Sequence, residues 1–126
     1  DDHRRAVEVR VLELPRALAR SRREVHVDRL VEEYIVALVA ATRSHPDVYL
    51  GASPRGSIAL YRTGQAWAAL RGRDFVTPDD VKALVGPALG HRIILSASAR
   101  IRNVSAKDIL KEVVRSVPVP GARVRS

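Results

Sequence analysis

The sequence predicts a mainly α protein, a small helical bundle with short extended links. Three observations predict it. Helix-start signals recur along the chain at Asp28, Ser53-Pro54, Thr77-Pro78 and Ser105. Each is followed by apolar residues at helical spacing. Only brief extended stretches separate them, such as Val25-His26-Val27 and Val48-Tyr49-Leu50.

The elements follow in order. Residues 1–11 are charged, with Val7, Val9 and Val11 in alternation, and read either as a short strand or as part of a linker. Pro15 opens a helix to about Arg23, with Leu14, Ala17, Leu18 and Ser21 at helical spacing. Asp28 caps the next helix, whose early turns carry Glu32 and Glu33, where acids suit the helix dipole. Its apolar face is expected to be Leu30, Val31, Tyr34, Ile35, Leu38, Val39 and Thr42, and Ser44-His45-Pro46-Asp47 ends it. A long helix is predicted from Pro54 to about Arg71, with the apolar run Ile58, Ala59, Leu60, Tyr61, Ala66, Trp67 and Leu70 and with Gly72 as its C-cap. Gly56 and Gly64 each weaken it by about 1 kcal/mol relative to alanine, and both suit a close neighbour.

Arg73-Asp74-Phe75-Val76 reads as extended, and Thr77-Pro78-Asp79-Asp80 starts another helix. Val81, Leu84 and Val85 face inward, and Gly86-Pro87 kinks or restarts the helix on its way to about His91. Arg92-Ile93-Ile94-Leu95 closes that segment, and residues 96–104 are expected to be a loop. Ser105 caps a last helix through about Ser116, with the stripe Ile109, Leu110, Val113 and Val114. The predicted organisation is a linker and first helix over 1–24, a helical domain over 25–116 and an extended tail over 117–126.

Composition bounds the function. A length of 126 residues suits one domain with a modest core, and 46% hydrophobic residues argue against wholesale disorder. With no cysteine there is no disulfide or thiolate chemistry, and a cytoplasmic setting is expected. No apolar run is long enough to cross a bilayer, so no membrane partner is expected. A chain without methionine reads as trimmed from something longer. The net charge of +8 is uneven: residues 96–126 carry 7 basic and 2 acidic side chains, a net of +5. Such a surface steers toward acidic partners or nucleic acid.

The most informative run is Gly51-Ala52-Ser53-Pro54-Arg55. Ser53 suits the N-cap, Pro54 suits the first helical position, and Arg55 projects a cation from the positive end of the helix. Two readings fit these residues: an ordinary cap with a solvated arginine, and a site for a phosphate. Other catalytic patterns are missing. There is no G-x-x-x-x-G-K-[ST] loop and no G-x-G-x-x-G. His3, His26, His45 and His91 lack zinc-ligand spacing, so no metal site is expected. Asp79 and Asp80 complement a helix dipole better than they make a metal pair, and Ser53 and Ser57 have no base at a recognisable spacing. Trp67 reads as core. The chain alone is not expected to be an enzyme.

A set of motifs stands in a specific order: Val25-His26-Val27-Asp28, Tyr34-Ile35-Val36-Ala37-Leu38-Val39, Ala41-Thr42-Arg43, His45-Pro46-Asp47-Val48, Gly51-Ala52-Ser53-Pro54-Arg55, Ala68-Ala69-Leu70-Arg71-Gly72-Arg73, Val76-Thr77-Pro78-Asp79-Asp80-Val81-Lys82 and His91-Arg92. Together they resemble the C-terminal lid domain of MoxR-type AAA+ ATPases over roughly two thirds of the chain, and Val117-Pro118-Val119-Pro120 resembles the family's end. The resemblance implies a helical lid over an ATP site, with Arg55 as the sensor-2 arginine that meets the terminal phosphates. It makes Gly51, Ala52, Ser53 and Pro54 the turn that presents that arginine and borders the nucleotide. ATP with Mg2+ would be the cofactor of the parent protein, with none tightly bound to this chain alone. Walker A and B would lie in the parent's core, outside this chain. Gly56 departs from the alanine common in the family.

The resemblance further implies a ring-forming, chaperone-like parent that matures protein complexes or inserts metal cofactors. Its partners would be the AAA+ core of the same chain, neighbouring ring subunits and von Willebrand factor A domain proteins. The alternative is a small basic DNA-binding module of winged-helix type, with the helix after Pro78 in the groove. Asp79 and Asp80 would repel phosphates there, so nucleic acid is not the expected partner. A histone-like dimer built on the helix 54–71 and burying Trp67 is a further rival.

Overall fold

The computed structural model describes residues 25–120. The expected linker and first helix over 1–24, and the end of the tail over 121–126, lie outside the described residues. Five helices and one two-stranded sheet make up the described part.

Helix α1 spans Arg29–Ser44. The Asp28 carboxylate accepts from the Leu30 N–H at 3.2 Å, which satisfies one donor of the first turn. Val31, Tyr34, Ile35, Leu38, Val39 and Thr42 are buried, as the spacing predicts. Leu30 is the exception, at 45% exposed. It is rotated about 100° from Val31, and so falls on the flank of the stripe rather than within it. Pro46 forces His45 into extended backbone and stops the helix.

Strand β1, Val48–Leu50, pairs antiparallel with β2, Ile94–Leu95. Val48 stands opposite Leu95 and Leu50 opposite Ile94, with an irregularity between them. A second link is the parallel bridge of His26 to Phe75, in which the His26 N–H donates to the Asp74 carbonyl at 2.8 Å and the Val76 N–H to the His26 carbonyl at 3.0 Å. Both extended links therefore serve as ties between distant parts of the chain.

Helix α2 spans Pro54–Leu70. It ends one residue before the predicted Arg71, which is the C-cap, and Gly72 follows at φ +73°. The Arg73 N–H closes onto the Ala68 carbonyl at 2.9 Å and the Gly72 N–H onto Ala69 at 3.0 Å. This Schellman arrangement needs a residue that tolerates the left-handed region, which is glycine's advantage. Leu60, Gly64, Ala66, Trp67 and Ala68 are buried, whereas Ile58 is 53% exposed and leaves the predicted apolar run. Ile58 shares the outer face with Arg55 and Arg62, three and four residues away.

Helix α3 spans Pro78–Leu89 and opens with a capping box in which the Thr77 hydroxyl accepts from the Asp80 N–H and the Asp80 carboxylate from the Thr77 N–H. It passes through Gly86-Pro87 without restarting, and ends two residues short of His91. Pro87 lacks only the N–H that would meet the Ala83 carbonyl. Ala83 and Pro87 both face outward, so that carbonyl lies on the exposed side of the helix. Val81, Leu84, Val85, Ala88 and Leu89 are buried.

Residues 96–104, expected to be a loop, contain a short helix α4, Ala97–Ile101. The Ser96 hydroxyl caps it by accepting from the Ala99 N–H at 3.1 Å. Five residues are too few to show a periodicity, and only Ala99 turns inward. Asn103 at φ 60° ends the segment. Helix α5, Ala106–Ser116, carries a second capping box between Ser105 and Asp108 and buries Ile109, Leu110 and Val113. Val114 is half-buried, and Val117 and Val119 of the tail also pack on the core.

The helices α2 and α3 pack along each other, α1 packs on α2, α5 packs on α3, and α1 and α5 also touch each other. Tyr34, Leu38, Leu60, Leu84, Leu89 and Ile109 are fully buried at their junction. The core is aliphatic with two aromatic rings, Tyr34 and Trp67.

Candidate functional site

The run Gly51–Arg55 links β1 to α2 and lies against the last turn of α1. The contact is close and polar. The Ala52 N–H donates to the Thr42 hydroxyl at 3.0 Å, and that hydroxyl donates in turn to the Val39 carbonyl at 2.6 Å. The Arg43 guanidinium donates through Nη1 to the Ala52 carbonyl at 2.9 Å. Both backbone groups of Ala52, a fully buried residue, are therefore held by α1. Gly51 completes the fit: a Cβ placed on it would lie 2.5 Å from Arg43 Cγ and 2.7 Å from Arg43 Cα. A side chain has no room there.

Ser53, Pro54 and Arg55 then turn outward and are exposed. The Ser53 hydroxyl accepts from the Arg55 N–H at 3.2 Å, and the Ser53 carbonyl from the Gly56 N–H at 2.7 Å. Pro54 has no N–H. The first donors of α2 are thus already used within the turn. What remains for an outside anion is the helix dipole and the Arg55 side chain. Among the described residues the Arg55 guanidinium makes no hydrogen bond and no ion pair. One residue on, a Cβ on Gly56 would stand 3.1 Å from Ala52 Cβ, 3.2 Å from Leu89 Cδ2 and 3.9 Å from Arg92 Cδ, so α2 starts tight against the end of α3. The Arg92 side chain lies over this point, with its Nε donating to the Ala88 carbonyl at 3.2 Å. Gly64 plays the same part beside Val76 Cγ1, at 3.4 Å from an added Cβ.

The structure thus brings Gly51, Ala52, Ser53, Pro54 and Arg55 into one turn. Thr42 and Arg43, which hold that turn, are missed by reasoning from the run itself. The signal for Thr42 is a hydroxyl within a buried apolar stripe, which must find partners there. Arg43 gives no such signal, since an arginine in the last turn of a helix is ordinary dipole complementation.

Asp80, His45 and Trp67 have structural partners. Asp80 is tied to Arg73 and to Thr77, while Asp79 is exposed. His45 Nδ1 accepts from the Asp47 N–H at 3.0 Å, and its Nε2 lies 3.5 Å from Glu112 Oε1. Trp67 is buried, with the Arg71 guanidinium 5.7 Å from its ring centre. Among the described residues no group of three His, Cys, Asp or Glu could hold a metal ion, and no helix is long and apolar enough to cross a membrane.

The described helices match a known class. The chain belongs to the AAA lid domain family, whose model matches residues 40–113. It is 44% identical over 106 residues to the uncharacterized protein YeaC of Bacillus subtilis, covering 84% of this chain and 33% of that protein. It is 31% identical to the chaperone MoxR1 of Mycobacterium tuberculosis, over 75% of this chain and 27% of that protein. The crystal structure of a candidate ATPase from Cytophaga hutchinsonii superposes with a TM-score of 0.73 at 33% identity, over 77% of this chain and 32% of that one. The lid is of the MoxR type. The chain spans about a third of the length of these relatives. Membership in this family does not favour the DNA-binding alternative.

Proposed function

We propose that this lid works beside an AAA+ core in the same polypeptide, closing over ATP, and that Arg55 is the residue that meets the terminal phosphates. The observation that carries this reading is the state of Arg55. Its guanidinium stands exposed and unpaired among the described residues, on a turn whose backbone is fixed by Thr42 and Arg43. A cation held ready without a carboxylate partner fits a phosphate, which a guanidinium can grip through two oxygens.

The residues present suit the phosphate end of the nucleotide. In this reading Mg2+ would be held from the core. When bound, the nucleotide supplies the negative charge that Arg55 neutralises. Because Arg55 sits at the start of α2, and α2 packs on α3, engagement of the phosphates would draw the lid as a body. The parent is then an ATPase of chaperone-like work, cytoplasmic and assembled in a ring. It would act on protein complexes or metal-cofactor insertion beside von Willebrand factor A domain proteins.

The test is Arg55→Ala in the full-length protein. ATP turnover or nucleotide affinity is expected to fall about a hundredfold, as when one charge-stabilising donor is removed from a reaction centre. Unfolding of the lid should stay within about 0.5 kcal/mol, because the side chain is exposed and among the described residues its guanidinium makes no hydrogen bond or ion pair. Turnover and affinity equal to wild type would overturn the assignment.

A further inference from the structure

We propose that Arg43 is a positioning residue for Arg55, setting the direction in which the arginine leaves the lid; this rests on the phosphate role of Arg55. The peptide unit between Ala52 and Ser53 couples the two arginines. A peptide is planar, so fixing the Ala52 carbonyl also fixes the plane of the Ser53 N–H. Ser53 is the N-cap of α2, and its carbonyl and hydroxyl start the helix by accepting from Gly56 and Arg55. The group that holds the Ala52 carbonyl therefore orients the cap, and through it Arg55.

That group is the Arg43 guanidinium, at 2.9 Å. The same residue buttresses the turn from its other side, since its Cα and backbone N approach within 2.7 Å of where a Gly51 Cβ would stand. Arg43 is in the last turn of α1, a helix anchored by Tyr34, Ile35, Leu38 and Val39 in the core. Thr42 alone does not do this work. It holds the Ala52 N–H, which fixes the peptide before Ala52 and leaves the one after it free to rotate. The pair of bonds removes that freedom, so α1 and the start of α2 move as one piece.

The test is a double-mutant cycle of turnover in the full-length protein with Arg43→Met, Arg55→Ala and both. Arg43→Met should lower kcat about tenfold, and the double variant should be no slower than Arg55→Ala alone, because a misplaced arginine and a missing one fail in the same way. Arg43→Lys, which keeps a donor, should recover part of the loss. Amide exchange at Arg55 and Gly56 should quicken in Arg43→Met. Should that variant fail to fold, Arg43→Lys is read in the same cycle.

Losses that multiply in the double variant, wild-type turnover in Arg43→Met, or unchanged exchange at Arg55 and Gly56 would each overturn the proposal. The two readings fail separately. Wild-type turnover in Arg55→Ala removes the phosphate role. Multiplied losses, with Arg55→Ala still impaired, remove only the positioning role.

Discussion

Arg73 and Asp80 face each other across the link from α2 to α3 and form a two-pronged ion pair, Nη1 to Oδ2 at 2.6 Å and Nη2 to Oδ1 at 2.5 Å. The carboxylate is 5% exposed and the guanidinium 25%, so the pair sits at the edge of the core with the acid inside. Asp80 also closes the capping box of α3. Burial alone would raise its carboxyl above the usual carboxylate range. The bonds from Arg73 and Thr77, with the Arg73 charge, outweigh burial and hold it below that range.

Asp80→Asn is therefore expected to lower stability by about 2–3 kcal/mol at neutral pH, since it loses charge-assisted bonds and leaves the half-buried Arg73 guanidinium with only its bond to the Phe75 carbonyl, at 3.2 Å. The pH dependence follows from the depressed carboxyl. Its stabilisation is present above the unfolded value of 3.8 and is lost as pH falls through the lower folded value. Urea unfolding across that acid range should show wild type losing stability that Asp80→Asn never had. A parallel acid loss in both proteins would refute the role given to this pair.

Tyr34 gives the opposite expectation. Its hydroxyl is buried with no hydrogen-bond partner, the only such side-chain atom among the described residues. Burial, with the charge of Asp79 adding to it, raises its pKa. Tyr34→Phe removes an unpaired polar group and keeps the ring, so stability should be unchanged or higher by up to about 1 kcal/mol. A folded pKa above the unfolded 10.0 stabilises fully below pH 10.0 and is lost as pH rises through the folded value. The phenylalanine variant should lack that alkaline loss, which thermal melts between neutral and strongly alkaline pH would read.

Two glycines should fail for different reasons. Gly72→Ala places a side chain in open space at φ +73°, so only backbone strain opposes it, about 1–2 kcal/mol. Gly51→Ala drives a methyl into the Arg43 backbone and must push the turn off α1, at a cost of about 1–3 kcal/mol. The distinction is testable in the full-length protein. Gly51→Ala should depress nucleotide turnover beyond its effect on folding, and Gly72→Ala should not. Equal turnover in the two variants would argue against the clamped turn having a functional part.

Most of the helices were legible because their signals are local. Asp28, Ser53, Thr77 and Ser105 each cap the helix predicted from them, because a capping bond spans only two or three residues. The buried faces of α1 and α5 follow from spacing in the same way, with Leu30 and the half-buried Val114 marking the edges where spacing alone cannot say what covers a flank. The short helix α4 is not legible in the sequence, since one turn and a half has no measurable period. At the candidate site the run Gly51–Arg55 was visible, and so was the outward arginine. That the first-turn N–H groups are spent within the turn was not, nor was the grip of Thr42 and Arg43.

The sequence by itself determined where four of the five described helices begin, most of the residues that enter the core, and which arginine stands at the head of the longest helix. These are matters of bonds and spacings within a few residues, and their energies hardly depend on the rest of the chain. Only the tertiary structure decided that Arg43 reaches Ala52, that Arg73 finds Asp80 across a link, and that His26 pairs with Phe75. Those contacts join residues brought together by packing. An arginine in a last helical turn or in a link carries no mark of the carbonyl or carboxylate it will meet until the core has closed.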